Sequence, residues 1–189
     1  FSNDTNDGTV KLTNLGTNHT VGVGIGAVEL GASATTTLDL SLADETGAAD
    51  AISLNYTDSA NATSLQTLKV ASTVETLNIS AGKVATAATI TNTNMAAKNI
   101  VITDGIAGGT VTLGTLNAAT TNVDAGAAHS NVSVTTAATG AVTVSAAGDA
   151  TNASSITTGA GNDTITLTGK SGTLAHTVDG GAGTGDVLN

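Results

Sequence analysis

Residues 158 to 166 read Thr-Gly-Ala-Gly-Asn-Asp-Thr-Ile-Thr, and residues 180 to 188 read Gly-Gly-Ala-Gly-Thr-Gly-Asp-Val-Leu. In both, glycines lead to one aspartate and then to an aliphatic residue. Glycines let a backbone turn tightly and expose its carbonyl oxygens, while the aspartate adds a hard anionic oxygen. The aliphatic residue that follows begins a strand. The first segment matches the nonapeptide G-G-x-G-x-D-x-U-x at every defined position except the first, where Thr158 replaces glycine, and that repeat binds calcium in parallel β-rolls. The second has one extra residue before its aspartate. Asp163 and Asp186 are 23 residues apart, so two such turns stacked one rung apart would enclose an ion that takes about six to eight oxygens. The candidate ligands of this Ca2+ are Gly159, Gly161, Asn162, Asp163, Gly181, Gly183 and Asp186. Asp179, just before the second turn, is either a further ligand or a strand-end carboxylate.

Other acidic residues are less patterned. Asp39, Asp44 and Asp50 share one Gly/Ala-containing stretch and are readable as solvated loop carboxylates. Asp4, Asn6, Asp7 and Gly8 miss the EF-hand spacing and read as a polar turn. Asp104, Asp124 and Asp149 each follow a strand candidate at similar phase and read as turn formers. Catalysis needs converging titratable groups. His19, His129 and His176 lie far apart, and the chain has neither cysteine nor arginine, so the expectation is that it is not an enzyme.

Turns like these need strands to hold them. From about Leu65 onward, short β-branched runs alternate with clusters of Gly, Ala, Asn, Asp and Ser: LQTLKV, VETLNIS, ATIT, NIVIT, GTVTL, TNVDA, NVSVT, AVTVS, SITT, DTITL, HTVD and DVLN. One aliphatic anchor from each (Leu68, Leu77, Ile90, Ile102, Val111, Val123, Val134, Val144, Ile156, Ile165, Val178, Val187) recurs in steps of 9 to 13 residues. Such spacing also suits an antiparallel sandwich or barrel. The shortness of the runs, the small-residue turns and the uniform aliphatic anchors favour an all-β fold, a parallel β-solenoid with calcium-binding turns. Alternation within Val142 to Val144 and Thr164 to Thr168 puts aliphatics inside and threonines outside. Residues 1–60 carry longer strand candidates (8–15, 19–30, 35–43, 51–57) and read as a β segment that caps or continues the solenoid of 61–189. The boundary falls near Asp58 to Thr63.

Composition narrows the function classes. Of 189 residues, 37 are Thr, 32 Ala and 23 Gly, with one Phe, one Tyr, one Met and no Trp. The core must therefore be aliphatic. Hydrophobic residues at 40% and charged residues at 11%, without proline, are the wrong signature for disorder. Five lysines against 12 Asp and 3 Glu give a net charge of -10, which makes nucleic acid and anionic membranes poor partners. Without cysteine there are no disulfides or thiolate metal sites, and bound metal is the natural substitute for cross-links in an extracellular chain. No apolar stretch approaches the ~20 residues that span a bilayer, so membrane insertion is not expected. Phe1 is not followed by a basic-apolar-small leader, which reads as a processed or excised segment.

Leu38 to Leu54 (LDLSLADETGAADAISL), Val74 to Ile79 (VETLNI) and Thr158 to Ile165 (TGAGNDTI) together resemble the large calcium-binding S-layer proteins of Gram-negative bacteria, the Caulobacter-type RTX surface-layer family exported by type I secretion. The resemblance covers about two thirds of the chain. It implies a secreted, calcium-dependent β-solenoid that assembles with identical subunits into a lattice on the cell surface, anchored to lipopolysaccharide through regions outside this segment. It also makes calcium ligands of Asp39, Asp44 and Asp50 a reading as open as solvated loop carboxylates. Thr158 and the inserted residue before Asp186 depart from the family pattern and bear on how many ligands each turn supplies. Two rivals stay open: an RTX adhesin repeat region, and the secretion and folding β-roll of a type I-secreted enzyme or toxin, which calls for more tightly tandem nonapeptides. Thr-x-Thr at 89–91, 110–112 and 164–166 also suggests an ice-binding solenoid, but steps of 9 to 13 residues do not supply the strict spacing that a flat array needs.

Overall fold

The threonine-aliphatic alternation builds strands because β-branched side chains pack well on a pleated surface and successive side chains face opposite ways. The computed structural model describes residues 9–16, 19–24, 37–44, 46–58, 64–65, 67–70, 73–80, 88–90, 94–95, 97–104, 110–128, 131–147, 154–168 and 176–189. Among them every element is a strand, and every strand pairing is parallel. No helix long and apolar enough to cross a membrane occurs among the described residues.

The chain winds as a solenoid over three sheets. β1 (Thr9–Leu15) lies in sheet 1 and β2 (His19–Gly24) in sheet 2. The next coil runs through β3 (Thr37–Leu42) in sheet 1, β4 (Ala51–Asp58) in sheet 2 and β5 (Ser64–Leu65) in sheet 3. Two further coils repeat that order: β6 (Thr67–Val70), β7 (Thr76–Ser80) and β8 (Ala88–Ile90), then β9 (Asn94–Met95), β10 (Asn99–Asp104) and β11 (Thr110–Leu116). Sheet 1 then stops. From β12 (Asn122–Ala128) and β13 (Asn131–Thr136) onward each coil has only sheets 2 and 3: β14 (Thr143–Ala147) and β15 (Ser155–Thr157), β16 (Thr164–Thr168) and β17 (Thr177–Asp179), and finally β18 (Val187–Leu188). Sheet 2 runs from β2 to β18 and crosses residue 60 without interruption, since β4 pairs with β7.

The interior is a set of aliphatic ladders. In sheet 2, Ile52, Leu77, Ile100, Val123, Val144 and Ile165 stack in register, each at most 2% exposed. In sheet 3, Val134 stacks on Ile156 and Ile156 on Val178. Three of the sequence anchors are out of register with their ladder: in sheet 3, Val111 pairs with Ala88 and Val132 instead of Ile90 and Val134, and the other two lie in sheet 2. Ile102 pairs with Ile79, and it is Ile100 that continues the Leu77 column. Val187 pairs with outward-facing Thr164 and is 47% exposed, while Leu188 pairs with Ile165. Leu68 lies in sheet 1, and from Leu77 onward the anchors alternate between sheets 2 and 3, so the repeat that stacks is about twice the anchor spacing.

Core residue size follows the change of cross-section. Leu40, Leu54, Leu77, Ile79, Ile102, Leu113 and Leu116 fill the three-sided coils, and Ala125, Ala128, Ala138 and Ala146 line the two-sided ones. A two-sided coil encloses less space, and interiors pack to a fixed density, so alanine suits it where leucine would overpack.

Candidate metal centre

From β4 onward each sheet 2 strand is entered through a corner, and residues directly before the strands stack as a column. The strand registers place Asp50, Glu75, Lys98, Thr121, Val142, Asp163 and Asp186 one above another in successive rungs. One device recurs in it: a carboxylate of one rung accepts the backbone N–H of the rung before. Val142 N–H donates to Asp163 Oδ1 at 2.8 Å, Asp163 N–H to Asp186 Oδ1 at 3.0 Å, and Asp50 N–H to Glu75 Oε2 at 3.0 Å.

At the C-terminal corner the two glycine turns lie backbone on backbone. Ala160 N–H donates to Ala138 O and Ala182 N–H to Gly159 O, both at 2.9 Å. A Cβ on Gly159 would strike Ala138 O, and one on Gly183 would strike Gly161 O. Gly181 has φ +73° and sits directly over Gly159 O, so both its conformation and its surroundings require glycine. The stacking thus explains the glycine spacing independently of any ion.

Asp163 is 1% exposed, and its Oδ2 is buried with no hydrogen-bond partner. Asp186 is exposed, and its carboxylate rests against the backbone of Gly180 and Gly183 in its own turn. Gly159, Gly161, Asp163, Gly181, Gly183 and Asp186 therefore share one corner. The other two candidates have separate tasks. Asn162 Oδ1 accepts Thr184 N–H at 3.4 Å, bridging the turns from an exposed position. Asp179 Oδ1 accepts Gly181 N–H at 2.9 Å, opening the second turn from the end of β17.

Among the described residues no three His, Cys, Asp or Glu side chains converge. A cation at this corner would be held by the two carboxylates, main-chain carbonyls and water, an all-oxygen set suited to a hard ion such as calcium. The orphaned Oδ2 of Asp163 fits such an ion: a buried carboxylate oxygen lacking a donor is costly unless a cation or a proton meets it. Compared with known proteins, the chain matches no family model, no curated protein and no solved structure.

The remaining acidic residues separate cleanly. Asp44 is exposed, and the hydroxyl and N–H of Thr46, at 2.7 and 3.0 Å, hold its carboxyl below the usual carboxylate range. Asp39 lies in β3, its backbone in register with Lys11 and Lys69. Asp124 lies inside β12, beside a register shift against β10, where the Ser145 hydroxyl and Gly126 N–H lower its pKa. Asp104 ends β10. Asp4, Asp7, Asp149 and His129 lie outside the described residues.

Sequence reasoning missed the column itself and a matching device at the opposite corner. There Val132 N–H donates to Ser154 Oγ at 3.3 Å and Ser154 N–H to His176 Nδ1 at 3.0 Å. The residue before each β-branched run was the available signal.

Proposed function

We propose that this chain is a structural segment of a calcium-dependent bacterial surface layer, clamped by calcium and assembling with identical subunits into a two-dimensional lattice. The observation that carries the calcium part is the partnerless, buried Oδ2 of Asp163, one rung from Asp186, whose carboxylate caps Asp163 N–H. With net charge -10, a divalent ion would replace repulsion between acidic turns, and between acidic subunits, with cross-linking. The lattice part is supported by the sequence resemblance and by the solenoid's outer surface. Residues such as Ser133, Thr143 and Ser145 face outward between buried aliphatics. Such a surface suits modest contacts repeated among many copies better than one tight contact or the grip of a small ligand. On this reading the protein is extracellular and not an enzyme, and lipopolysaccharide is engaged by regions outside the segment.

The test has two steps. Circular dichroism and thermal unfolding under chelation should show a loosened or lower-melting solenoid, restored by calcium at around 10⁻⁴ to 10⁻³ M, the range of extracellular calcium modules. Electron microscopy of the full-length protein should then show ordered sheets with calcium and separate subunits without it. An unchanged spectrum and melting temperature under chelation would remove the calcium clamp. A calcium-loaded protein that stays monomeric at high concentration, or that assembles equally well with magnesium, would favour an adhesin or secretion β-roll.

A further inference from the structure

Two carboxylate oxygens are buried without a partner among the described residues, Asp163 Oδ2 and Asp50 Oδ2. They occupy the same column, at opposite ends. From this we infer a second cation site, formed by Asp50 and Glu75 where the chain passes from sheet 1 to sheet 2, for a hard divalent ion of the calcium type. It does not depend on the surface-layer reading or on the Asp163 site.

Asp50 is 7% exposed. Its carboxylate is folded under the 46–49 turn, with Oδ1 and Oδ2 at 2.8 and 3.0 Å from where a Cβ on Gly47 would stand. Glycine at 47 leaves room for the carboxylate to pack against the turn. Glu75, one rung on, brings a second carboxylate: its Oε2 accepts Asp50 N–H, and Lys98 Nζ approaches its Oε1 at 3.7 Å. Lys98 thus offsets one of the two negative charges. It sits two rungs from Asp50, roughly 9 to 10 Å at the usual strand separation, and its ammonium is directed to Glu75. The Asp50 carboxylate has no countercharge and no donor for Oδ2 among the described residues. An ion with one foot on that oxygen, completed by Glu75, main-chain oxygens of the exposed 46–49 turn and water, would answer both deficits. Lys98 would compete with it for Glu75, so this site binds more weakly than it would with a neutral residue at 98.

Calorimetric calcium titration of the 189-residue chain carrying Asp163→Asn and Asp186→Asn tests this. One calcium should still bind; adding Asp50→Asn should abolish it, and adding Lys98→Met instead should tighten it about fivefold by removing a nearby positive charge. Circular dichroism checks that Asp50→Asn keeps its β spectrum; if it does not, Lys98→Met decides alone. No calcium bound to the double variant, or binding indifferent to both Asp50→Asn and Lys98→Met, overturns the inference. In the otherwise unaltered chain, binding lost only through Asp163 and Asp186 would leave the first site standing and remove this one. Binding lost only through Asp50 would do the reverse.

Discussion

The two ends of the corner column use the same hydrogen bond and handle its charge differently. At the N-terminal end, Glu75 caps Asp50 N–H and Lys98 stands in the next rung, 3.7 Å from Glu75. At the C-terminal end, Asp163 and Asp186 cap Val142 and Asp163, and the rungs before them offer Val142 and Thr121 in the column. A carboxylate stacked over an N–H is a good cap, but repeating it rung after rung piles up negative charge. The chain meets that cost once with its own lysine, and in the proposed function a second time with an ion from solution. The turns differ too. Gly47 approaches only the end of the Asp50 side chain, whereas Gly159, Gly161, Gly181 and Gly183 meet the backbone of the neighbouring turn. The end of a side chain can move aside, and a stacked backbone cannot.

The largest effect should come from that contrast. Gly181→Ala places a Cβ against Gly159 O at a positive φ and should cost about 3 kcal/mol or more, because strain and overlap add. Gly47→Ala should cost about 1 kcal/mol, since the Asp50 carboxylate can shift. Urea unfolding of both variants measures this. Equal losses would mean that the two turns are packed alike.

Removing the caps sharpens the electrostatic half of the comparison. Under chelation, Asp163→Ala strands a buried Val142 N–H but also deletes a poorly compensated charge, for a net loss of about 1 kcal/mol. In millimolar calcium the same change should cost about 3 kcal/mol, because the wild type gains ligand stabilisation that the variant lacks. Glu75→Ala, which frees Asp50 N–H and leaves Lys98 unpaired, should cost about 1 to 2 kcal/mol with a smaller calcium-dependent part. A calcium-dependent part that is larger for Glu75 than for Asp163 would reverse the assignment of the two ends.

How far these features were legible in the sequence follows from their length and period. Each of the twelve β-branched runs from Leu65 onward contains a strand, because alternation of Thr with Val or Ile within five residues is a local pattern. Register was less legible: Ile100 and Ile102 are two residues apart and equally aliphatic, and only the neighbouring rung decides that Ile100 continues the Leu77 ladder. Sheet 1 was not legible as a third side, since β9 is the two residues Asn94 and Met95, too short to leave a pattern. The glycine turns stood out because five of the seven residues 180–186 are glycine or alanine. The column did not, because its members recur once per rung and share no residue type. Asp50 and Asp44 are indistinguishable in sequence, and only folding buries one and leaves the other in solvent.

The smallest effect belongs to a carboxylate of a third kind, answered by neutral donors instead of a cation. Asp124 Oδ1 accepts the Ser145 hydroxyl at 2.6 Å from the next rung and Gly126 N–H at 3.0 Å, which together hold its pKa below the ordinary value. A depressed folded pKa means that the unfolded chain binds the proton more readily. The stability it contributes is therefore present above the unfolded value of about 3.9 and is lost as pH falls through the lower, folded value. Asp124 is exposed, so solvent screening limits this to about a few tenths of a kcal/mol. Asp124→Asn should accordingly lose that increment at pH 6 and flatten the decline in the urea midpoint below about pH 4, leaving the calcium response of the corners unchanged. Parallel pH curves for wild type and variant would show that the Ser145 hydroxyl bond does not favour the charged form. A variant that also shifted calcium affinity would tie this outer column to the corner, and charge balance along the solenoid would then have to be treated as one coupled system rather than rung by rung.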